Sequence, residues 1–250
     1  MDRITFIGSG NVATNLAKAF FEHGFEIVQI YSRTINHALE LADKVNAGAI
    51  CDLAKLLPAD VYIVAVSDDA IGEVVGQIQA GNSLVLHTAG SVDISALESF
   101  PHHGVLYPLQ TFTKGKKVDF SQIPFFIEGN SLESLERIRV LATAIFPYVK
   151  QLDSDKRLKL HVAAVFACNF LNYLLGVAAD LSGENFTMLH SLVMETVEKA
   201  LSAKHPKEVQ TGPALRNDIA TLEKHKKILS SHPELQHIYS IISQSILNHV

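Results

Sequence analysis

The apolar run Ile4-Thr5-Phe6-Ile7 passes directly into Gly8-Ser9-Gly10-Asn11-Val12-Ala13, and an amphipathic stretch follows as far as Phe20. A G-x-G-x-x-G/A loop between a strand and a helix admits few folds. The first glycine makes the tight turn, the second lets the backbone approach a pyrophosphate, and the third small residue lets helix pack on strand. The free N–H groups and positive dipole end of the helix then face the phosphates. Gly8, Ser9, Gly10, Asn11 and Val12 are therefore expected to hold a dinucleotide. No Gly-Lys-Ser/Thr follows, which argues against an ATP loop of the Walker kind.

Further β-branched runs follow at Glu26–Tyr31, Val61–Val66, Leu84–Thr88, Val105–Tyr107, Pro124–Ile127 and Val149–Leu152, alternating with helical patterns. That alternation predicts βαβ units in a mainly parallel sheet, and several of the runs lack polar alternation, as strands covered on both faces do. After Asp153 the periodicity is helical, with turn signals at Gly183, His205-Pro206 and Gly212-Pro213. The expected architecture is α/β: a Rossmann doubly wound parallel sheet over residues 1–152, then an all-helical domain over 153–250. Its first helix, Ser154 to Leu181, is apolar around much of its girth and suits a bundle or a second subunit.

The end of the second strand distinguishes between cofactors. NAD-binding folds usually place Asp or Glu there to accept from the ribose 2′-OH. This chain has Tyr31-Ser32-Arg33-Thr34, and a guanidinium with two hydroxyls can grip a 2′-phosphate through charge-assisted bonds. Ser32, Arg33 and Thr34 thus favour NADP(H), although an arginine beside a helix cap would read the same way. The missing acid also counts against a methyltransferase using S-adenosylmethionine. Later strand ends supply Val66, Ser67 and Asp68, then His87 and Thr88, expected near the nicotinamide half of the cofactor. His87 can equally be a buried structural histidine. Tyr107 to Phe112 either lines the substrate side or only crosses between strands, and Lys114 to Lys117 reads as a solvated loop.

Composition narrows the partners. A formal charge of −5 over 250 residues lacks the basic excess that nucleic acid requires. Two cysteines make no disulfide framework, no leader pattern precedes Ile4, and a cytoplasmic protein is expected. Val162 to Leu181 is nearly long enough to span a bilayer, but Asn169 and Asn172 interrupt it, so no membrane partner is expected. Twelve histidines show no zinc-site spacing, and no metal is expected.

His87-Thr88-Ala89-Gly90, Pro108 to Phe112, His161 to Asn169 and Gly212 to Asp218, taken with the glycine loop, resemble a bacterial family described only as NADP oxidoreductases. Its helical domain has no assigned function, and it is related to pyrroline-carboxylate reductases, deazaflavin-dependent NADP reductases and β-hydroxyacid dehydrogenases. The resemblance covers essentially the whole chain. It implies an NADPH-dependent reductase of a small imine, carbonyl or related acceptor; the helical domain is read besides as a dimerisation element, so that a homodimer through it is expected. The hydroxyacid dehydrogenases carry a lysine four residues before an asparagine on the first interdomain helix, where this chain has Val165 before Asn169. Valine transfers no proton. His161, two helical turns before Asn169, is the titrating replacement, or else an ordinary helix histidine. Asn169 would orient the substrate or the carboxamide, and Arg216 would anchor an anionic substrate or pair with Asp218. The alternative function is a non-catalytic NADP(H)-binding sensor or interaction protein.

Overall fold

The computed structural model describes residues 2–113, 115–116 and 118–249. Lys114 and Lys117, at the ends of the stretch expected to be a solvated loop, lie outside the described residues. The chain divides into two compact units, Met1–Tyr173 and Leu174–Val250.

The first unit is built on an eight-stranded sheet. Its strands are β1 (Arg3–Ile7), β2 (Glu26–Tyr31), β3 (Gly48–Ile50), β4 (Val61–Val64), β5 (Leu84–His87), β6 (His102–Pro108), β7 (Phe125–Gly129) and β8 (Val149–Gln151). They lie in the order β3-β2-β1-β4-β5-β6-β7-β8. Every pair is parallel except β6 with β7. All four residues of β4 and of β5 are buried, as a strand covered by helices on both faces requires. The β1/β4 junction is where the strand order reverses, the position at which open α/β sheets bind ligands beyond the carboxyl ends of their strands.

Helix α1 (Asn11–Glu22) lays Ala13, Leu16, Ala17 and Phe20 on the sheet at helical spacing. With α2 (Ile35–Ala42) and α4 (Leu132–Thr143) it closes one core, in which Phe6, Phe20, Phe125 and Phe146 are fully buried. The short helix α3 (Ile71–Val75) covers the other face with Tyr62, Val64, Val85, Leu97 and Phe100. Both faces of the one sheet are thereby shielded, and the expected doubly wound architecture is observed.

Helix α5 (Ser154–Ala164) begins on a capping carboxylate, the Asp153 Oδ1 accepting from the Lys156 N–H at 2.8 Å. One turn on, Arg157 is fully buried; its guanidinium pairs with Glu128 of β7 and donates to the Val92 carbonyl at 2.6 Å. The helix fastened in this way continues through a π-helical segment, Val165–Phe170, into α6 (Leu171–Ser182). The single regular helix expected from Ser154 to Leu181 thus has wider turns around Asn169. By length and composition the helical run Ser154–Ser202 is apolar enough to cross a membrane, and none of its most apolar window is buried.

The second unit contains most of α6 with α7 (His190–Ser202), α8 (Ile219–Ile228) and α9 (Pro233–His249). Asp218 caps α8, accepting from the Thr221 N–H at 3.1 Å and the Thr221 hydroxyl at 2.8 Å. Those two bonds hold its carboxyl below the usual range.

Candidate active site

A cleft of about 550 Å³ opens in the first unit beyond the ends of β1, β2, β4, β5 and β6. This is within the size range of small-molecule sites. Its floor is the glycine loop. Gly8 has φ +126°, and a Cβ there would lie 2.3 Å from the Ala65 carbonyl oxygen, so only glycine lets β1 turn this close to β4. Gly10 differs, since a Cβ there would meet nothing within 4 Å. The space above its backbone is open. Gly10 also caps α1 with no side-chain bond, and the first turn holds no acidic residue. The helix start consequently offers N–H groups and positive dipole to an outside anion, and the residues present fit a dinucleotide pyrophosphate.

One end of the cleft is formed by Tyr31, Ser32 and Arg33. The Gly8 N–H donates to the Tyr31 carbonyl at 2.9 Å, and the Ser32 N–H to the Ile50 carbonyl at 3.1 Å, which fixes the backbone that presents Arg33. Arg33 has no carboxylate partner among the described residues. Along the wall, Val66, Ser67 and Asp68 follow β4 as expected, and the Ser91 hydroxyl donates to the Asp68 carboxylate.

At another part of the lining, Thr88, Ala89, Gly90, Tyr107, Pro108 and His161 share the wall. The Tyr107 hydroxyl and His161 Nδ1 are 3.1 Å apart, the rings meeting edge to face at 69°. Tyr107 is only 8% exposed. Burial pushes its phenol above the usual value; the Arg157 cation opposes this and Asp68 reinforces it. Gly90 makes room for the pair, since a Cβ there would lie 2.5 Å from His161 Nδ1 and 2.8 Å from the Tyr107 ring.

Most of the predicted cofactor residues therefore converge: Gly8, Ser9, Gly10, Asn11, Val12, Ser32, Arg33, Val66, Ser67, Asp68 and Thr88 all line the cleft, as does His161. Thr34 does not; it is the residue before α2. His87 does not either. It is fully buried in β5, its Nδ1 accepting from the Ala89 N–H at 3.2 Å, and burial, aided by the Arg157 charge, lowers its pKa to about 3. It is a neutral structural histidine. Asn169 is exposed in the π-helical segment and is not among the lining residues. Arg216 belongs to the second unit, where it is exposed. Sequence reasoning missed Glu73 and Gln77, polar residues of and just beyond α3, together with the role of Tyr107 as the partner of His161.

Residues 3–90 match a family model described as "NADP oxidoreductase coenzyme F420-dependent", and residues 123–246 match one described as a domain of unknown function, DUF2520. A search of curated proteins returns no match. Among solved structures, a Bacteroides fragilis protein provisionally named an NADP oxidoreductase is 42% identical; the alignment covers 99% of this chain and 98% of that one, with a TM-score of 0.92.

The chain belongs to this NADP oxidoreductase family.

Two more distant structures share its fold. An imine reductase from Myxococcus stipitatus, solved in complex with NADP+, is 15% identical over 98% of this chain and 92% of its own, with a TM-score of 0.62. A pyrroline-5-carboxylate reductase from Coxiella burnetii is 18% identical over 99% and 96%, with a TM-score of 0.55. Membership of the NADP oxidoreductase family carries the coarse assignment, an NAD(P)-dependent oxidoreductase with a Rossmann-type first domain.

Proposed function

We propose that this family member is an NADPH-dependent reductase of a small carbonyl, imine or comparable acceptor. The observation that carries the cofactor choice is Arg33, a cleft-lining cation without a carboxylate partner among the described residues, at the strand end where NAD-binding folds usually present an acid. Arg33 and Ser32 would hold the 2′-phosphate, and the Gly10 backbone with the first turn of α1 would hold the pyrophosphate. When bound, the cofactor supplies a hydride. His161 would supply the proton that the reduced acceptor needs.

The test is to compare NADPH and NADH binding before and after Arg33→Ala. Loss of a charge-assisted contact should weaken NADPH binding by about 10-fold to 100-fold and NADH binding by less than about 3-fold. Equal losses would sink the 2′-phosphate argument. Val165 in place of the dehydrogenase lysine favours a second reading, a non-catalytic NADP(H) sensor. That reading requires NADPH binding without turnover on any keto-acid, ketone or imine acceptor.

The assembly proposed is a homodimer through the helical unit. Among the described residues of the second unit only Ala214 and Leu229 are buried hydrophobic residues, whereas Leu181, Met188, Leu192 and Leu201 are more than half exposed. A second copy is favoured over lipid because Asn169, Asn172 and Asp180 are exposed on the same apolar run, where hydrocarbon would leave them without partners. A cytoplasmic location accords with this reading.

A further inference from the structure

The Tyr107–His161 pair carries more than a proton donor. Tyr107 is the more buried of the two, and its hydroxyl has one partner among the described residues, His161 Nδ1. A protonated phenol whose one described partner is Nδ1 can donate its O–H to the lone pair of that nitrogen at the observed 3.1 Å, and this direction of donation is the one taken below. Nδ1 so engaged leaves the proton of a neutral imidazole on Nε2. Nε2 has no partner within the described chain, and the ring to which it belongs lines the cleft. The room for this arrangement comes from Gly90.

We propose that Tyr107 is a positioning residue that fixes His161 as its Nε2–H tautomer and relays the proton for reduction through it, which selects acceptors whose heteroatom carries a free lone pair. This deepens the reductase reading and rests on it. The step balances as follows. A hydride with its electron pair forms the new C–H bond, and the π electrons of the C=O or neutral C=N bond move to the heteroatom. The Nε2 proton of His161 passes to that heteroatom while the Tyr107 O–H proton passes to Nδ1. His161 ends neutral with its proton on Nδ1 and Tyr107 ends as phenolate; one solvent proton taken up at Nε2 from the open cleft, with return of the Nδ1 proton to the Tyr107 oxygen, restores both residues. The Arg157 charge lowers the cost of that phenolate. An acceptor already protonated to an iminium has no lone pair to receive the Nε2 proton, so the arrangement favours neutral carbonyls and imines.

The deciding measurement is a nitrogen-15 long-range correlation spectrum of the full-length protein, with the His161 signals identified by their loss in His161→Gln. The parent should show a protonated Nε2 and an unprotonated Nδ1, and Tyr107→Phe should convert this to a mixture of tautomers. A parent with its proton on Nδ1, or a Tyr107→Phe spectrum identical to the parent, overturns the proposal. In turnover with NADPH and a ketone, Tyr107→Phe should lower kcat about 100-fold and move KM by less than about 3-fold, as loss of general-acid function does. A KM rise in Tyr107→Phe with kcat retained would make Tyr107 a packing residue and overturn the relay. If NADPH fails to bind, the function proposed above falls while the tautomer result still decides this inference.

Discussion

Two glycines two residues apart have opposite assignments. Gly8 is required by the fold, because its positive φ and its approach to Ala65 exclude a side chain, and Gly8→Ala should cost about 1–3 kcal/mol or more in denaturant unfolding. Gly10 is free of such contacts, so Gly10→Ala should stay within about 1 kcal/mol of the parent yet weaken NADPH binding about 10-fold or more by titration. A Gly10→Ala protein that bound normally would remove the pyrophosphate from this loop. His87 makes a different prediction. Its folded pKa of about 3 lies below the unfolded value of 6.5, so below pH 6.5 the unfolded chain takes up a proton that the folded chain refuses. Stability should therefore fall by about 1.4 kcal/mol per pH unit from roughly pH 6 toward pH 3, and nothing should be lost from this residue above pH 7. His87→Leu should flatten the acid limb of stability measured against pH; an unchanged limb would contradict the assignment. The placement of the glycine loop and of Arg33 on the cleft was legible in the sequence because each position is fixed locally, by a backbone turn or by the end of a strand. His87 was not, since a histidine at a strand end reads alike whether it faces ligand or core.

Among the elements, α5 is the one whose placement the site depends on. Arg157 joins it to Glu128 of β7 and to the Val92 carbonyl, and one turn later His161 meets Tyr107 of β6. Removing one member of a buried ion pair leaves the other charge without compensation, at about 3–5 kcal/mol. Arg157→Met should show that loss in urea unfolding, and adding Glu128→Gln should recover part of it; additive losses would mean the pair is not coupled. The strands were legible wherever β-branched residues run together, as in β2, β4 and β5. β3 escaped notice because Gly48-Ala49-Ile50 is only three residues, and β6 starts earlier than expected because His102-His103-Gly104 carries no strand signature. The π-helical segment had no readable cause. Tyr107 escaped as a partner of His161 because the two lie 54 residues apart and only the fold brings them together.

For the whole molecule, the homodimer proposed through the apolar surface of the helical unit would make association part of stability. Light scattering should give about twice the 27.4 kDa chain mass, and the melting temperature should rise with protein concentration, as it does when folding and assembly are linked. A monomer with a concentration-independent melting temperature would refute the homodimer. The division into a sheet half and a helical half was legible from hydrophobic periodicity, whereas the compact units divide at Tyr173, inside a helical run that periodicity reads as continuous.

Both strands at the margins of the sheet, β3 and β8, are three residues long. A sheet with such short borders presents few unpaired backbone groups, so another chain finds almost no template on which to add a strand. The route to fibrous, edge-to-edge growth is thereby narrow in the half of the chain richest in β-branched sequence. A homodimer of the kind proposed would then be made by side chains on helices, where shape and charge, rather than the indiscriminate pairing of main chains, choose the neighbour.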